Sequence, residues 1–377
     1  MNGPLRIFHV VGNTRGARGE RFLLQAADHL DPQLFRMAVA LTERGPLSEE
    51  LRRRHIPFEV VSLSPLGNPL PVRALSRLFL DWKPNLIQAH GARSNFYARL
   101  AAGRIPCIST VHNSLSDYPI SALRRGLYLA ADRLTAARSA AVVCAAECLR
   151  VDFLRRCPSL WERTYVIPDG VDLERFDPRR HDRELIRQTL GLGDRWTLLL
   201  IGRMTEQKGH AVLLEAVSRI KNVLPPFRIL FAGEGPQKEF LTKKSHSLDL
   251  HENTVFLGGR RDIPELLSAS DVVVLPSVSE GVPYVLLEAL AMGKTVILSN
   301  VNGVSELMPN GDEGYLVPPG SPEKLTEALL KTLWDKQDAR ERAGAGRRRV
   351  QQDHDLKKIL AKWETLYHEL AGDLLIN

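Results

Sequence analysis

Two glutamates, Glu280 and Glu288, are the residues of this sequence best suited to chemistry, because they lie eight positions apart beside a short apolar run. The run 272–275 predicts a buried strand that ends at Pro276, followed by a glycine-containing loop and a helix. Pro283 suits the first turn of that helix, where its missing N–H leaves no hydrogen bond unmade. Both carboxylates can then approach one ligand from the same end and accept hydrogen bonds from ribose or sugar hydroxyls.

The start of the same helix also predicts an anion site. Backbone amides that follow Gly281 are free at a helix N-terminus, which attracts anions such as a diphosphate. In the alternative interpretation, Glu288 is a satisfied partner of the helix cap and Glu280 is an ordinary loop charge.

A second candidate segment, 202–209, follows the predicted strand Trp196–Ile201 and contains the cations Arg203 and Lys208. Two cations in a loop at the carboxyl end of a strand can neutralise a pyrophosphate, both before and during its departure. The alternative is that both are ordinary surface cations.

Two histidines in the first half of the chain are further candidates. His90 ends the predicted strand 86–89, and His112 ends the predicted strand 108–111. Ligands of open α/β sheets bind beyond the carboxyl ends of the strands, where both histidines lie. Either residue is instead a hydrogen-bonded structural histidine in the alternative interpretation.

The elements that position these residues form two series. At 377 residues the chain exceeds the size of a single core, and short apolar runs alternate with amphipathic stretches in both halves. This alternation predicts parallel sheets covered on both faces. A turn at 168–172 and a charged, proline-containing stretch after it mark the boundary.

We therefore predict an α/β protein with two facing, Rossmann-like, doubly wound parallel-sheet domains and a ligand cleft between them. The domains are 1–170 and 171–355, and an amphipathic helix in 356–377 packs back on them.

Charge and composition limit the classes of partner that this protein is expected to bind. Residues 1–170 contain 23 Lys+Arg against 14 Asp+Glu, a net charge of +9, whereas the remainder has 28 against 30, a net charge of −2. The basic half indicates an anionic membrane surface, or else a solvated face without a partner. Nucleic acid is disfavoured because aromatic residues are only 6% and no nucleic-acid motif occurs. The four cysteines form no Cys-x-x-Cys pair, and we expect free thiols and a cytoplasmic protein.

Taken together, the motifs resemble the retaining glycosyltransferases of family 4, the "glycosyl transferases group 1" class with the GT-B fold. The resemblance rests on the glutamate pair, on Gly202-Arg203 with Lys208-Gly209, and on the sequence Val-Ile-Pro-Asp-Gly-Val-Asp at 166–172. The segments 232–236 and 256–258 also resemble the family. The similarity spans nearly the whole chain and is densest from residue 166 to residue 317.

The resemblance implies roles for the candidate residues. Glu288 would hold the ribose of the nucleotide, Glu280 the hydroxyls of the donor sugar, and Arg203 and Lys208 the diphosphate. His112 would lie by the donor sugar and His90 on the acceptor side. The donor-binding backbone would be completed by Gly281, Val282, Pro283, Tyr284 and Val285.

The first loop departs from the family pattern. Many relatives have Gly-Gly-Ala-Glu-Arg after the first strand, whereas this chain has Gly-Ala-Arg-Gly-Glu-Arg at 16–21. Gly16 would then take over donor binding with a shifted loop, and Arg15 and Arg18 would face an anionic acceptor or phosphate. The alternative is two solvated loop arginines. Lys294, where relatives often have proline, is a further departure.

The resemblance implies transfer of a sugar, with retention of configuration, from a UDP- or GDP-linked donor to a hydroxyl of a glycan or lipid-linked acceptor. The family suggests bacterial surface glycans such as lipopolysaccharide or exopolysaccharide. We expect no cofactor and no metal, because the two cations neutralise the phosphates and no carboxylate-rich metal motif occurs. The alternatives are a phosphorylase or epimerase on the same fold, or a catalytically silent nucleotide-sugar-binding protein. Peripheral association with the inner face of the plasma membrane is expected from the arginines at 124, 125, 133 and 138.

Overall fold

The computed structural model describes residues 3–12, 18–114, 121–279 and 283–372, without the side chain of Asn302. The chain divides into two compact domains. One contains the residues up to Asp169 together with those from Lys357 onward, and the other is Gly170–Leu356. The predicted boundary between residues 170 and 171 lies one position from the observed one.

The N-terminal domain contains a seven-stranded parallel sheet in the order β3-β2-β1-β4-β5-β6-β7. Its central strands are buried, as expected for a sheet covered by helices on each side. The strands are β1 Leu5–Val11, β2 Phe35–Leu41, β3 Phe58–Val60, β4 Leu86–His90, β5 Cys107–Val111, β6 Ala141–Cys144 and β7 Thr164–Val166. The helices are α1 Arg18–His29, α2 Pro46–Arg53, α3 Leu70–Trp82, α4 Ala92–Ala101, α5 Ala122–Thr135 and α6 Glu147–Arg156.

The C-terminal domain repeats this architecture with a six-stranded parallel sheet in the order β10-β9-β8-β11-β12-β13. Its strands are β8 Trp196–Ile201, β9 Phe227–Ala232, β10 Thr254–Gly258, β11 Val272–Leu275, β12 Thr295–Ser299 and β13 Tyr315–Val317. Its helices are α7 Arg183–Thr189, α8 His210–Ser218, α9 Lys238–Ser247, α10 Ile263–Ala269, α11 Tyr284–Ala291, α12 Asn302–Leu307, α13 Pro322–Trp334 and α14 Lys336–Asp353. The predicted pair of Rossmann-like, doubly wound parallel-sheet domains is therefore confirmed.

The last helix, α15 Leu356–Gly372, belongs to the N-terminal domain from Lys357 onward. Trp363 packs against Phe22 of α1, with ring centroids 4.9 Å apart. The hydroxyl of Tyr367, which is fully buried, donates a hydrogen bond of 2.5 Å to the side chain of Gln88 in β4. The apolar stripe of α15 is thus part of the core of the N-terminal domain.

Two helices of the C-terminal domain, α7 and α14, are absent from the sequence prediction. The 18-residue α14 buries mainly small residues, Ala339, Ala343 and Gly346, and only one larger aliphatic residue, Val350. A helix whose buried face consists of alanine and glycine lacks the large-residue stripe on which a periodicity argument depends.

Candidate functional site

The loop after β8 carries the two predicted phosphate-binding cations. Arg203 is exposed, and Lys208 is half-buried at the end of a short 3-10 turn, Glu206–Lys208. Gly209 follows with φ of +69°, and a side chain there would collide with the backbone carbonyl of Pro276. Glycine is therefore required where this loop passes the end of the neighbouring strand β11.

The loops after β8 and β11 are joined by two hydrogen bonds. The backbone N–H of Val278 donates to the carbonyl oxygen of Gln207 at 2.9 Å, and Gln207 Nε2 donates to the carbonyl oxygen of Ser279 at 2.8 Å. The cation loop is thereby fixed beside the loop that leads to α11. The predicted residues Glu280, Gly281 and Val282 lie outside the described part of the chain.

A pocket with an empty volume of about 320 Å³ opens at this edge of the C-terminal sheet. Its lining includes three predicted residues, Lys208, Pro283 and Val285, together with Ser277 and Ser299. Pro283 is the N-cap residue of α11 and directly precedes its first turn, which begins with Tyr284. The structure thus brings a cation and a helix N-terminus to one concavity, a combination suited to a phosphate group.

Ser299 is a functional candidate that the sequence analysis missed. It ends β12, is 1% exposed, and its hydroxyl has no hydrogen-bond partner among the described residues. A buried hydroxyl without a partner is costly, which favours a ligand contact in this pocket. The available signal was its position at the carboxyl end of a predicted strand, next to the strand that precedes Glu280.

Glu288 lies in the second turn of α11 and is 1% exposed. Glu288 does not line the pocket that contains Lys208 and Ser299.

Lys294 lies away from the pocket lining and has a structural role. Burial lowers its pKa to about 7, and its ammonium group donates to the carbonyl oxygens of Ser268 at 2.9 Å and Ser270 at 3.1 Å. It therefore satisfies backbone acceptors at the end of α10.

The carboxyl edge of the N-terminal sheet contains a row of three histidines. His9 Nδ1 lies 3.2 Å from His90 Nε2, and His90 Nδ1 lies 3.3 Å from His112 Nε2. The three rings stack nearly parallel and are at most 8% exposed. Both ring nitrogens of His90 have partners, as the structural alternative for this residue required. We call this row the histidine row.

Burial makes the histidine row neutral. Desolvation, reinforced by Arg18, lowers the pKa of His112 to about 3. Desolvation also lowers the pKa values of His90 and His9 well below the usual range, and the neighbouring histidine adds to this effect in each case. His112 also lines a pocket with an empty volume of about 320 Å³ in its own domain, together with Asn95, Asn113 and Arg156.

Arg18 is placed differently from the prediction. It begins helix α1 rather than lying in a loop, and its guanidinium donates to the carbonyl oxygen of His112 at 3.1 Å. The same group lies 3.6 Å from the carboxylate of Asp169, and both side chains are largely buried. The alternative of a solvated loop arginine is therefore wrong, whereas a contact of Arg18 with an anionic acceptor or phosphate stays a prediction. The predicted residues Arg15 and Gly16 lie outside the described part of the chain.

Comparison with known proteins gives the chain its family. The model for "Glycosyltransferase Family 4" matches residues 19–175, and that for "Glycosyl transferases group 1" matches residues 182–349. The chain belongs to the group 1, family 4 glycosyltransferases. It is accordingly a glycosyltransferase that uses a nucleotide sugar.

Two relatives and one solved structure illustrate the range of this family. The UDP-Gal:alpha-D-GlcNAc-diphosphoundecaprenol alpha-1,3-galactosyltransferase of Escherichia coli is 27% identical over 346 residues, covering 89% of each chain. The GDP-mannose-dependent alpha-(1-6)-phosphatidylinositol monomannoside mannosyltransferase of Mycobacterium tuberculosis is 29% identical over 55% of this chain and 54% of its own length. Anabaena HepE in complex with UDP-glucose superposes with a TM-score of 0.83 at 23% identity, covering 99% of this chain and all of HepE. The fold is thus that of GT-B glycosyltransferases.

Within the described residues, no group of three or more His, Cys, Asp or Glu side chains is arranged to hold a metal ion. Among the helices they form, none has the length and hydropathy needed to cross a bilayer.

Proposed function

We propose that this glycosyltransferase moves a sugar, with retention of anomeric configuration, from a UDP- or GDP-linked donor to a hydroxyl of a lipid-linked glycan acceptor. The observation that carries the proposal is the edge of the C-terminal sheet, where Lys208, the start of α11 and the hydroxyl of Ser299 line one pocket. A cation and a helix N-terminus suit a diphosphate, and a buried hydroxyl suits a polar ligand.

In the proposed reaction, the bond between the anomeric carbon and the diphosphate oxygen breaks as the acceptor oxygen attacks from the same face. The acceptor proton passes to the departing phosphate oxygen. Arg203 and Lys208 stabilise the negative charge that develops on the diphosphate, and the amides at the start of α11 add to this effect. We propose that no bound metal is needed, so transfer continues in the presence of EDTA.

The nucleotide is the first feature to test. The E. coli relative uses UDP-galactose and HepE binds UDP-glucose, whereas the mycobacterial relative depends on GDP-mannose. We propose a thermal-shift screen with UDP, GDP, ADP and their common sugars. Stabilisation by one nucleoside diphosphate and its sugars would identify the donor, whereas no shift with any of them would contradict the proposal.

Variants locate the donor in the proposed site. Glu288→Gln keeps the volume of the buried side chain and removes the carboxylate that would hold the ribose, so the stabilisation should fall sharply. Glu239→Gln, on the exposed face of α9, is the matched control and should keep the full stabilisation. An equal response of the two variants would exclude Glu288 from the donor site.

The stereochemistry of the product tests the mechanism. NMR of the product made from an α-linked donor should show an α-glycoside from the earliest time point. A β-glycoside would overturn the retaining mechanism. Product analysis with inorganic phosphate separates transfer from a phosphorylase, which would release a sugar phosphate.

An exposed apolar stripe on α5 supports a lipid-linked acceptor. Leu123, Leu127 and Leu134 are 77%, 56% and 82% exposed, and their spacing of four and seven residues places them on one side of the helix. Arg124 and Arg138 are exposed nearby. Apolar side chains beside arginines are the features by which a helix lies in an anionic membrane surface.

We therefore propose peripheral attachment to the cytoplasmic face of the plasma membrane, in synthesis of a bacterial surface glycan such as lipopolysaccharide or exopolysaccharide. The names of both relatives describe acceptors carried on lipids. The protein should sediment with vesicles containing phosphatidylglycerol at low salt, and Leu127→Asp should reduce this binding. Leu185→Asp, an equally exposed leucine of α7, is the control. Absence of sedimentation of the unmodified protein would contradict membrane attachment.

A further inference from the structure

The hydrogen-bond partners in the histidine row are sufficient to assign which ring nitrogen of each histidine carries the proton. Thr110, in β5, lies beside the middle histidine: its hydroxyl oxygen is 3.2 Å from His90 Nδ1. The same hydroxyl is in a short hydrogen bond with the carbonyl oxygen of Ala89. A carbonyl oxygen can only accept, so the single hydroxyl proton of Thr110 points to Ala89.

Thr110 therefore decides the tautomer of His90. With its own proton committed to Ala89, the threonine oxygen can only accept a hydrogen bond from His90 Nδ1. His90 consequently has its proton on Nδ1. In a neutral ring the other nitrogen, Nε2, then has a lone pair and accepts from its neighbour.

The assignment extends to both ends of the row. His9 Nδ1 lies within hydrogen-bonding distance of the bare His90 Nε2, so His9 has its proton on Nδ1. His112 Nε2 faces the N–H of His90 Nδ1 at 3.3 Å, and a proton there would place two donors against each other. His112 Nε2 is therefore bare, and its proton is on Nδ1.

We propose that Thr110 and His9 are positioning residues that hold His112 as the Nδ1–H tautomer, so that His112 offers an N–H donor to an oxygen atom of the substrate. Neutral histidine in water favours the other tautomer, with the proton on Nε2. The row thus imposes the less common form, through Thr110 in β5, the strand that leads to His112, and through His9 in β1, two strands away.

This tautomer defines what His112 can do. Its Nδ1 is buried and has no hydrogen-bond partner among the described residues, although the residue lines a pocket. A neutral Nδ1–H donates to a sugar hydroxyl or a phosphate oxygen, whereas it has no lone pair with which to remove a proton from an acceptor. The assignment of the ligand as a sugar or phosphate oxygen rests on the proposed function. The assignment of the tautomer rests only on the hydrogen-bond geometry of the histidine row.

Packing holds the central ring of the row in place. Gly19 of α1 lies so close to His90 that a Cβ atom there would be 2.6 Å from the His90 Cβ. Phe22, one turn later, packs on the His90 ring with centroids 5.5 Å apart. A ring confined in this way keeps the two nitrogen contacts that transmit the tautomer along the row.

The test is a long-range ¹H–¹⁵N correlation spectrum of the full chain with ¹⁵N-labelled histidine, recorded without ligand at pH 7.5. Signals that disappear in His112→Asn belong to His112. We expect its Nδ1 to resonate as a protonated nitrogen and its Nε2 as a nitrogen with a lone pair. A protonated Nε2, or rapid averaging between the two forms, would overturn the proposal.

Variants of Thr110 separate positioning from a merely structural role. Thr110→Val keeps the shape and removes the acceptor, so the Nε2–H form of His112 should become populated. Thr110→Ser restores the hydroxyl and should restore the Nδ1–H pattern. With the donor selected by the thermal-shift screen, kcat/KM should fall about tenfold in Thr110→Val and recover in Thr110→Ser, as expected for one misdirected hydrogen bond. An unchanged tautomer in Thr110→Val would remove Thr110 from this role.

The two proposals fail in different ways. If no nucleotide sugar binds, the proposed function is wrong, while the tautomer in the ligand-free protein is still measurable. If donors bind but His112 is protonated on Nε2, the proposed function stands and this inference is wrong.

Discussion

The two domains share one architecture but present different chemistry at the carboxyl edges of their sheets. In the C-terminal domain, the loop after β8 carries the exposed Arg203 and the half-buried Lys208 beside a helix N-terminus. In the N-terminal domain, the strands β1, β4 and β5 lead to three buried, neutral histidines in hydrogen-bonding contact. One edge exposes cations beside a helix N-terminus, and the other offers directed hydrogen bonds from neutral histidines.

With this difference, two domains of one architecture can provide two kinds of contact for a transferase: charge stabilisation and directed hydrogen bonding. Charge stabilisation of a leaving diphosphate needs cations and helix amides aimed at the position where the charge develops. Recognition of neutral hydroxyl groups needs donors and acceptors with fixed directions, which burial and close packing provide.

Acidification should destabilise the N-terminal domain more than the C-terminal domain. The pKa of His112 is lowered to about 3 and that of His210, the buried histidine of α8, to about 4. In the unfolded chain these histidines have an ordinary pKa of about 6.5. Below pH 6.5 the unfolded chain therefore binds more protons than the folded protein, so the stability of the folded protein falls as the pH falls. At pH 5 each of these two histidines lowers the free energy of unfolding by about 2 kcal/mol, because one pKa unit corresponds to about 1.4 kcal/mol.

His9 and His90 shift in the same direction, so among the described residues lowered histidine pKa values are found at His9, His90 and His112 in the N-terminal domain and at His210 in the C-terminal domain. Hydrogen exchange followed by mass spectrometry at pH 7, 6 and 5, corrected for intrinsic rates, should show the N-terminal sheet opening first. Earlier opening of the C-terminal sheet would contradict the assignment of neutral, buried histidines to the N-terminal edge.

Removal of one cation should have the next largest effect, and only on charge stabilisation. Lys208→Met keeps most of the side-chain volume, and kcat should fall about 100-fold, the loss typical of one electrostatic contact to a developing charge. Affinity for the nucleoside diphosphate should fall as well. Lys243→Met, on the exposed face of α9, is the control and should behave like the unmodified protein. A loss below threefold in Lys208→Met would remove this lysine from the transition state.

Two substitutions of His112 should differ by about tenfold in kcat/KM. The amide of asparagine can place an N–H near the position of Nδ1, whereas the longer glutamine places its amide near the position of Nε2. His112→Asn should therefore be the more active, by roughly the free energy of one hydrogen bond. Affinity for the nucleoside diphosphate should stay unchanged in both variants, in contrast to Lys208→Met. Higher activity of His112→Gln would indicate that the substrate contacts Nε2 instead.

Much of the fold and of the candidate site follows from local sequence. Apolar runs of four to seven residues separated by amphipathic stretches predicted the parallel strands, and the strand ends located Arg203, Lys208, His90 and His112. These predictions succeed because a strand buried on both faces needs an uninterrupted apolar run, and because loops at its carboxyl end are the usual ligand positions. The helix α14 was missed because its buried face consists of small residues, and Arg18 was misplaced because α1 begins three residues earlier than its apolar pattern.

By itself, the sequence determined the two-domain fold, the family, and the position of the cations Arg203 and Lys208 in the loop after β8. Only the tertiary structure decided that His9, at the middle of a strand, joins His90 and His112, since residues 9, 90 and 112 meet through the order of β1, β4 and β5 in the sheet. It likewise decided that Thr110 faces His90 and that the hydroxyl of Ser299, in the pocket with Lys208, has no hydrogen-bond partner within the part of the chain that the structure describes. Hydrogen-bond direction and burial depend on which strands are neighbours, and strand order is a long-range property that no local pattern of residues contains.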